Sequence, residues 1–173
     1  RKGLRILDVG AGSAVWSLAM LRCDQSSKIT ALDWPEVLAI AQQQAKVQQL
    51  DSRLELLAGD FHQVTLPAGA FDLAILANIT HLETLEGNRH VFQRVYDTLA
   101  EHGEVVIIDV FPGLVEGDLT RALYQLGLAL RTEHGQVYSK EQLSRQLKEV
   151  NFRSCEFTML ESPPYILGML SAS

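Results

Sequence analysis

Apolar residues along this chain follow two alternating rhythms. Short, nearly uninterrupted apolar runs occupy Leu4 to Val9, Lys28 to Asp33, Leu54 to Ala58, Phe71 to Ala77 and Val105 to Val110. Runs of this length without polar alternation predict strands covered on both faces. Between them the spacing becomes helical. Pro35 suits a first helical turn, and Val37, Ile40, Ala41 and Ala45 recur behind it on one face. Val91, Val95 and Leu99 predict a second helix that stops near His102-Gly103. Leu119, Ala122, Leu123, Leu126 and Leu130 mark a third. Ser139-Lys140-Glu141-Gln142 has the form of a capping box, opening a helix that carries Leu143, Leu147 and Val150. Two strand-like segments close the chain, Ser154 to Leu160 and Tyr165 to Leu170, separated by Ser162-Pro163-Pro164.

Strands alternating with helices predict an α/β fold, because parallel neighbours need crossover connections and those cover both sheet faces. No repeat or linker interrupts the pattern, so residues 1–173 read as one domain. Ligands of such sheets sit beyond the carboxyl ends of the strands, near the point where strand order reverses. The residues at those ends are Asp8, Asp33, Asp60, Asn78 and Asp109. A row of carboxylates repels polyphosphates and suits hydroxyls, amines or a cation.

Composition narrows the partners. A chain of 173 residues, 47% of them hydrophobic, is large enough to bury about two thirds of its unfolded surface. Cys23 and Cys155 are far apart and form no Cys-x-x-Cys pair, which predicts neither a disulfide framework nor a metal site and makes a reducing, cytoplasmic setting the default. No apolar run approaches the ~20 residues that span a bilayer, so no membrane partner is expected. Fifteen Lys and Arg against 21 Asp and Glu give a net charge of −6, and no dense basic cluster invites nucleic acid. A small-molecule substrate is the expected partner.

The stretch Leu7-Asp8-Val9-Gly10-Ala11-Gly12-Ser13-Ala14-Val15 is the most informative loop. A dinucleotide fingerprint needs a third glycine where this chain has Val15, and Asp8 places negative charge where a pyrophosphate would lie. Asp-x-Gly-x-Gly instead suits S-adenosylmethionine (SAM), which carries an ammonium and a sulfonium and no phosphate.

Four segments in order strengthen this reading: LDVGAGSA, ALDWPEVLAIA, LLAGDFHQVTLPAGAFD and ILANITHLETLEGNRHVFQRVYDTLAEHGEVVIIDV. Through them the chain resembles class I SAM-dependent methyltransferases, and more closely the small-molecule O-methyltransferases of plants and bacteria. The third segment is similar to that family's GDFF…LP.GAD pattern. The resemblance implies a Rossmann-like, doubly wound, mostly parallel seven-stranded sheet with an antiparallel C-terminal strand. It implies cofactor contacts from Asp8, Gly10, Ala11, Gly12, Asp33, Trp34, Gly59, Asp60, Phe61 and Asn78. Within that set Asp33 faces the ribose hydroxyls, Asp60 the adenine amino group and Phe61 the adenine face. His81 takes the catalytic position, with Asp109 where a carboxylate steadies it. It also implies an N-terminal, winged-helix-like dimerisation domain in a longer protein, with a homodimer expected only when that domain is present.

The chain departs from the family pattern at particular positions. Leu82 and Glu83 follow the histidine where plant members have aspartate and tryptophan, Ala77 replaces a frequent lysine, and Val137 occupies a second acidic position. His62, His90, His102 and His134 read as surface or turn residues. A neutral imidazole, accepting protons near ~6.5, can assist deprotonation of a hydroxyl, so O-methylation with His81 as base is the leading reading. The alternatives are a cofactor-binding module with C-methylation or without catalysis and, third, a nucleotide-dependent oxidoreductase, which Val15 and Asp8 oppose.

Overall fold

The computed structural model describes residues 1–112, 119–162 and 165–173. Seven strands form one sheet: β1 (Arg5–Val9), β2 (Lys28–Asp33), β3 (Leu54–Ala58), β4 (Phe71–Ala77), β5 (Leu99–Asp109), β6 (Cys155–Ser162) and β7 (Tyr165–Ala172). Their order is β3-β2-β1-β4-β5-β7-β6. The first five are parallel, while β7 runs antiparallel to both β5 and β6. This is the α/β architecture that the alternating pattern predicts, and the doubly wound sheet with an antiparallel C-terminal strand that the family resemblance implies. Pro163 and Pro164, expected to break the last two strands, lie outside the described residues.

Alternation along the strands divides the core into two layers. Ile6, Leu73 and Ile75 pack with Leu18 and Leu21 of α1 (Val15–Cys23) and with Leu38, Ala41 and Ala45 of α2 (Pro35–Val47). Leu7, Ala74, Leu76, Val105 and Ile107 point the other way. They meet Val91, Phe92 and Val95 of α3 (Leu85–Thr98) and Leu143 and Leu147 of α5 (Lys140–Glu149). Helix starts follow local chemistry. Pro35 opens α2, Thr84 caps α3 by accepting the Gly87 N–H at 3.0 Å, and Ser139 with Gln142 forms the expected capping box of α5.

The α3 boundary differs from the sequence expectation. The helix ends at Thr98, and Leu99 is already paired with Phe71 as the first residue of β5. Thr98 is taken up by the segment before β4: its hydroxyl donates to the Pro67 carbonyl at 2.6 Å, and its own carbonyl accepts the Ala70 N–H at 2.9 Å. With that helix-end carbonyl satisfied, the chain turns into the sheet. His102, at φ 63°, and Gly103 form a bulged turn within β5 rather than a helix cap.

The helix α4 (Leu119–Arg131) forms where its periodicity predicts, but the stripe that reveals it faces outward. Leu119, Leu123, Leu126 and Leu130 are more than half exposed, whereas Leu128 is buried. No helix among the described residues is long and apolar enough to cross a membrane.

Strand order reverses between β1 and β4, so their carboxyl ends flank the crevice of the sheet. The loops there approach closely. Gly10 has φ 63°, and a Cβ on it would lie 2.2 Å from Ile79 Cδ1. Gly10→Ala combines left-handed backbone strain with displacement of a core isoleucine. It is expected to lower unfolding free energy by roughly 1–3 kcal/mol, measured by urea denaturation.

Candidate functional site

The residues singled out in the sequence converge on the carboxyl edge of the sheet. The loop after β1 is tied to β2. Gly10 and Ala11 donate their N–H groups to the Leu32 carbonyl at 2.8 and 3.1 Å, and Gly12 donates to Asp33 Oδ2 at 2.8 Å. Asp33 Oδ1 accepts the Trp34 N–H at 2.7 Å, and the Asp33 carbonyl accepts the Gly59 N–H at 3.0 Å. Asp33 is thus the junction of three loops. A Cβ on Gly12 would meet nothing within 4 Å, so the loop shows bare backbone to open space. Trp34 is 55% exposed at the start of α2.

Asp60 organises the turn after β3. Its Oδ1 accepts the His62 N–H at 2.8 Å, and its Oδ2 accepts Gln63 Nε2–H at 3.0 Å. Phe61 is partly buried against the core. Asn78, after β4, is exposed and sits at φ 58°, a left-handed position that asparagine tolerates. Its N–H donates to the Ile108 carbonyl at 2.8 Å.

Asp8, at the end of β1, is only 2% exposed. Its carboxyl is pushed from the ordinary 3.8 up to about 6, first by burial, with the Ser17 hydroxyl pulling it back and the Asp33 charge adding to the rise. The protein therefore holds a carboxylate poorly compensated by its own groups.

A second buried carboxylate, Asp109, has the opposite surroundings. Its Oδ1 accepts His81 Nδ1–H at 2.7 Å and the Val110 N–H at 2.8 Å. Its Oδ2 accepts the Thr80 hydroxyl at 2.6 Å and the His81 N–H at 3.3 Å. Because a carboxylate only accepts, the proton of a neutral His81 resides on Nδ1 and Nε2 bears the lone pair. His81 is 5% exposed, and its carbonyl takes the Gln136 N–H at 2.9 Å.

The sequence reading missed Tyr124, on the inward side of α4. Its hydroxyl lies 3.2 Å from His81 Nε2 and 3.3 Å from Nδ1, with the rings at 86°. Nearly equal distances to both nitrogens put the oxygen out of the imidazole plane, since an in-plane oxygen would overlap Cε1. The in-plane direction of the Nε2 lone pair is not taken by that hydroxyl. A polar-tipped aromatic off the leucine stripe of α4 was the available signal. His62 lies in the turn after β3, half-buried, with Nε2–H donating to Glu83 Oε1 at 3.0 Å. His90, His102 and His134 are exposed.

Ionising Asp8 costs folding free energy, because its folded value lies above the unfolded one. Stability is lost as pH rises from 3.8 through about 6, by about 3 kcal/mol in all. Asp8→Asn removes that loss. The variant is expected to be more stable than wild type by about 2–3 kcal/mol at pH 7.5, with the gain disappearing by about pH 4, as read by denaturant melts across pH.

The chain matches the family model of the O-methyltransferase domain over residues 2–153. It is 30% identical over 152 residues to acetylserotonin O-methyltransferase of Macaca mulatta, covering 87% of this chain and 43% of that protein. It is 26% identical over 162 residues to L-tyrosine C(3)-methyltransferase of Streptomyces lavendulae, covering 92% of this chain and 44% of the relative. Human N-acetylserotonin methyltransferase, solved in complex with SAM, superposes with a TM-score of 0.81 at 25% identity, over 98% of this chain and 47% of that one. The chain spans less than half the length of these relatives. It belongs to the O-methyltransferase domain family.

Proposed function

We propose that this chain is the cofactor-binding and catalytic domain of a SAM-dependent methyltransferase acting on a small molecule, most directly at a hydroxyl oxygen. The observation that carries the reading is the buried Asp109–His81 pair beside the crevice where the strand order reverses, with the Tyr124 hydroxyl out of the ring plane at Nε2.

The residues fit the cofactor. Gly12 offers backbone to open space, so the loop after β1 can approach a ligand closely. Asp8 lies buried beneath that loop, where a positively charged ligand lowers the cost of its ionisation and a phosphate raises it. Asp33 uses one direction of each oxygen on backbone N–H groups and keeps its remaining lone pairs for ribose hydroxyls. The Asp60 turn presents Phe61 for the adenine face, and Ala11, Gly59, Trp34 and Asn78 line the approach. SAM, when bound, supplies a methyl group on an electron-poor sulfur.

His81 then has a defined task. Nε2 takes the proton of the acceptor hydroxyl, and Asp109 holds the resulting imidazolium through Nδ1–H. The four donors on Asp109 fix that carboxylate, so it orients the ring. Tyr124 covers the ring face and shields it from water. The free Cys23 and Cys155 suit a reducing compartment such as the cytoplasm, and a homodimer is expected where a dimerisation domain accompanies this one.

Transfer to carbon is the second reading, supported by the similarity to a C(3)-methyltransferase. The same base serves it, and the proton and carbon spectra of the methylated product separate a methoxy group from a carbon-bound methyl.

Calorimetric titration with SAM and S-adenosylhomocysteine is expected to give binding that Asp33→Ala abolishes, with none for NADH. His81→Gln is expected to keep adenosyl-ligand affinity while turnover of a hydroxylated acceptor falls by about 10²–10⁴. Failure of wild type to bind SAM overturns the cofactor assignment. Undiminished turnover in His81→Gln overturns the base assignment.

A further inference from the structure

Two turns approach the crevice from different strands. One, Asp60 to Val64, follows β3 and presents Phe61; the other, Thr80 to Glu83, follows β4 and carries His81. The first turn is bound to α3: Arg94 donates Nε–H to the Phe61 carbonyl at 2.9 Å and an Nη–H to the Val64 carbonyl, and His90 Nε2–H reaches the His62 carbonyl at 3.3 Å. The second is bound to β5 through Asp109, and Tyr138 donates its hydroxyl to the Glu83 carbonyl at 2.6 Å. Among the described hydrogen bonds, one side-chain pair joins the two turns directly. That pair is His62 Nε2–H to Glu83 Oε1, at 3.0 Å, with side chains 30% and 20% exposed.

Both members stand where this chain departs from its family's pattern. GDFF has phenylalanine at the position of His62, and plant members have tryptophan at the position of Glu83, two residues after the histidine. Where those patterns carry aromatic residues, this chain carries a donor and a carboxylate that meet each other.

We propose that His62 and Glu83 form a positioning clasp that holds the Phe61 turn in register with the His81 turn, so that the ligand-facing surface is ordered before a cofactor arrives. The role of Phe61 in cofactor contact rests on the function proposed above; the clasp itself rests on the geometry. A pre-ordered turn saves the ordering cost at binding, so its loss appears as weaker affinity. An ordinary surface ion pair leaves affinity and local opening unchanged.

The test is a double-mutant cycle read by S-adenosylhomocysteine calorimetry, together with amide hydrogen exchange on the unliganded chain. His62→Phe and Glu83→Trp are each expected to weaken affinity about tenfold, the scale of one charge-assisted hydrogen bond. The double variant His62→Phe/Glu83→Trp, which places two aromatic residues against each other, is expected to recover to within about threefold of wild type, as contacting residues do not act additively. In Glu83→Ala the Gln63 and Val64 amides are expected to exchange about tenfold faster, while amides in the middle of α3 keep their wild-type rates. Additive losses in the double variant, or single variants within about twofold of wild type with unchanged exchange, overturn the clasp. If wild type binds no adenosyl ligand, the cofactor assignment fails, and the exchange measurement alone decides the clasp.

Discussion

The Asp109 carboxylate is the interaction on which the site depends. At 2% exposure an ionised carboxylate is costly unless its oxygens are fully answered, and here four donors reach it. They come from Thr80, His81 and Val110, so one group joins the end of β5 to the turn after β4. Asn88 Nδ2–H, from α3, donates to the Thr80 carbonyl at 2.9 Å and seats the same turn from the opposite side. The orientation and tautomer of His81 follow from these bonds. The imidazole is placed by the fold and needs no ligand to arrange it.

Asp8 makes an instructive contrast, being equally buried at the end of a neighbouring strand. It is answered chiefly by the Ser17 hydroxyl and opposed by the charge of Asp33. The sheet edge therefore carries one satisfied carboxylate on the base side and one under-compensated carboxylate on the loop side. A cation entering near Asp8 gains what the fold has left unspent, a form of functional strain in which local stability is lower than an amide would give. Two residues of the same type thus differ in their surroundings: Asp109 is answered by four donors, and Asp8 is buried with little to answer it.

Much of this was legible in the sequence, for physical reasons. Buried parallel strands have to be apolar on both faces, so all five parallel strands announced themselves, and Pro35 and the Ser139 capping box marked helix starts that depend on a few adjacent residues. Strand-end positions then put Asp8, Asp33, Asp60, Asn78 and Asp109 on one edge. The end of α3 was not legible, because Thr98 is captured by Pro67 and Ala70 from about thirty residues away, and periodicity carries no record of that. The direction of α4 was hidden likewise: its leucines show a helix with an apolar face but not which side of the helix meets the sheet. Tyr124 and the His62–Glu83 pair escaped for the same reason, since each is a contact between residues distant in sequence.

These failures share a location. The loops after β1 and β2 are built by backbone bonds to adjacent strands, with Gly10, Ala11 and Gly12 fastened to Leu32 and Asp33, so their shape is written in short local motifs. The opposite side of His81 is built by α4 and by the segment before α5, with the Tyr124 side chain over the ring and the Gln136 backbone N–H on the His81 carbonyl. Side-chain walls can change residue by residue without disturbing the sheet, whereas a backbone cradle cannot. A common cradle with an independent wall is the arrangement expected when one cofactor serves many acceptors. Among the described residues, the side chain that α4 brings to His81 Nε2 is Tyr124, a contact that no strand-end motif records.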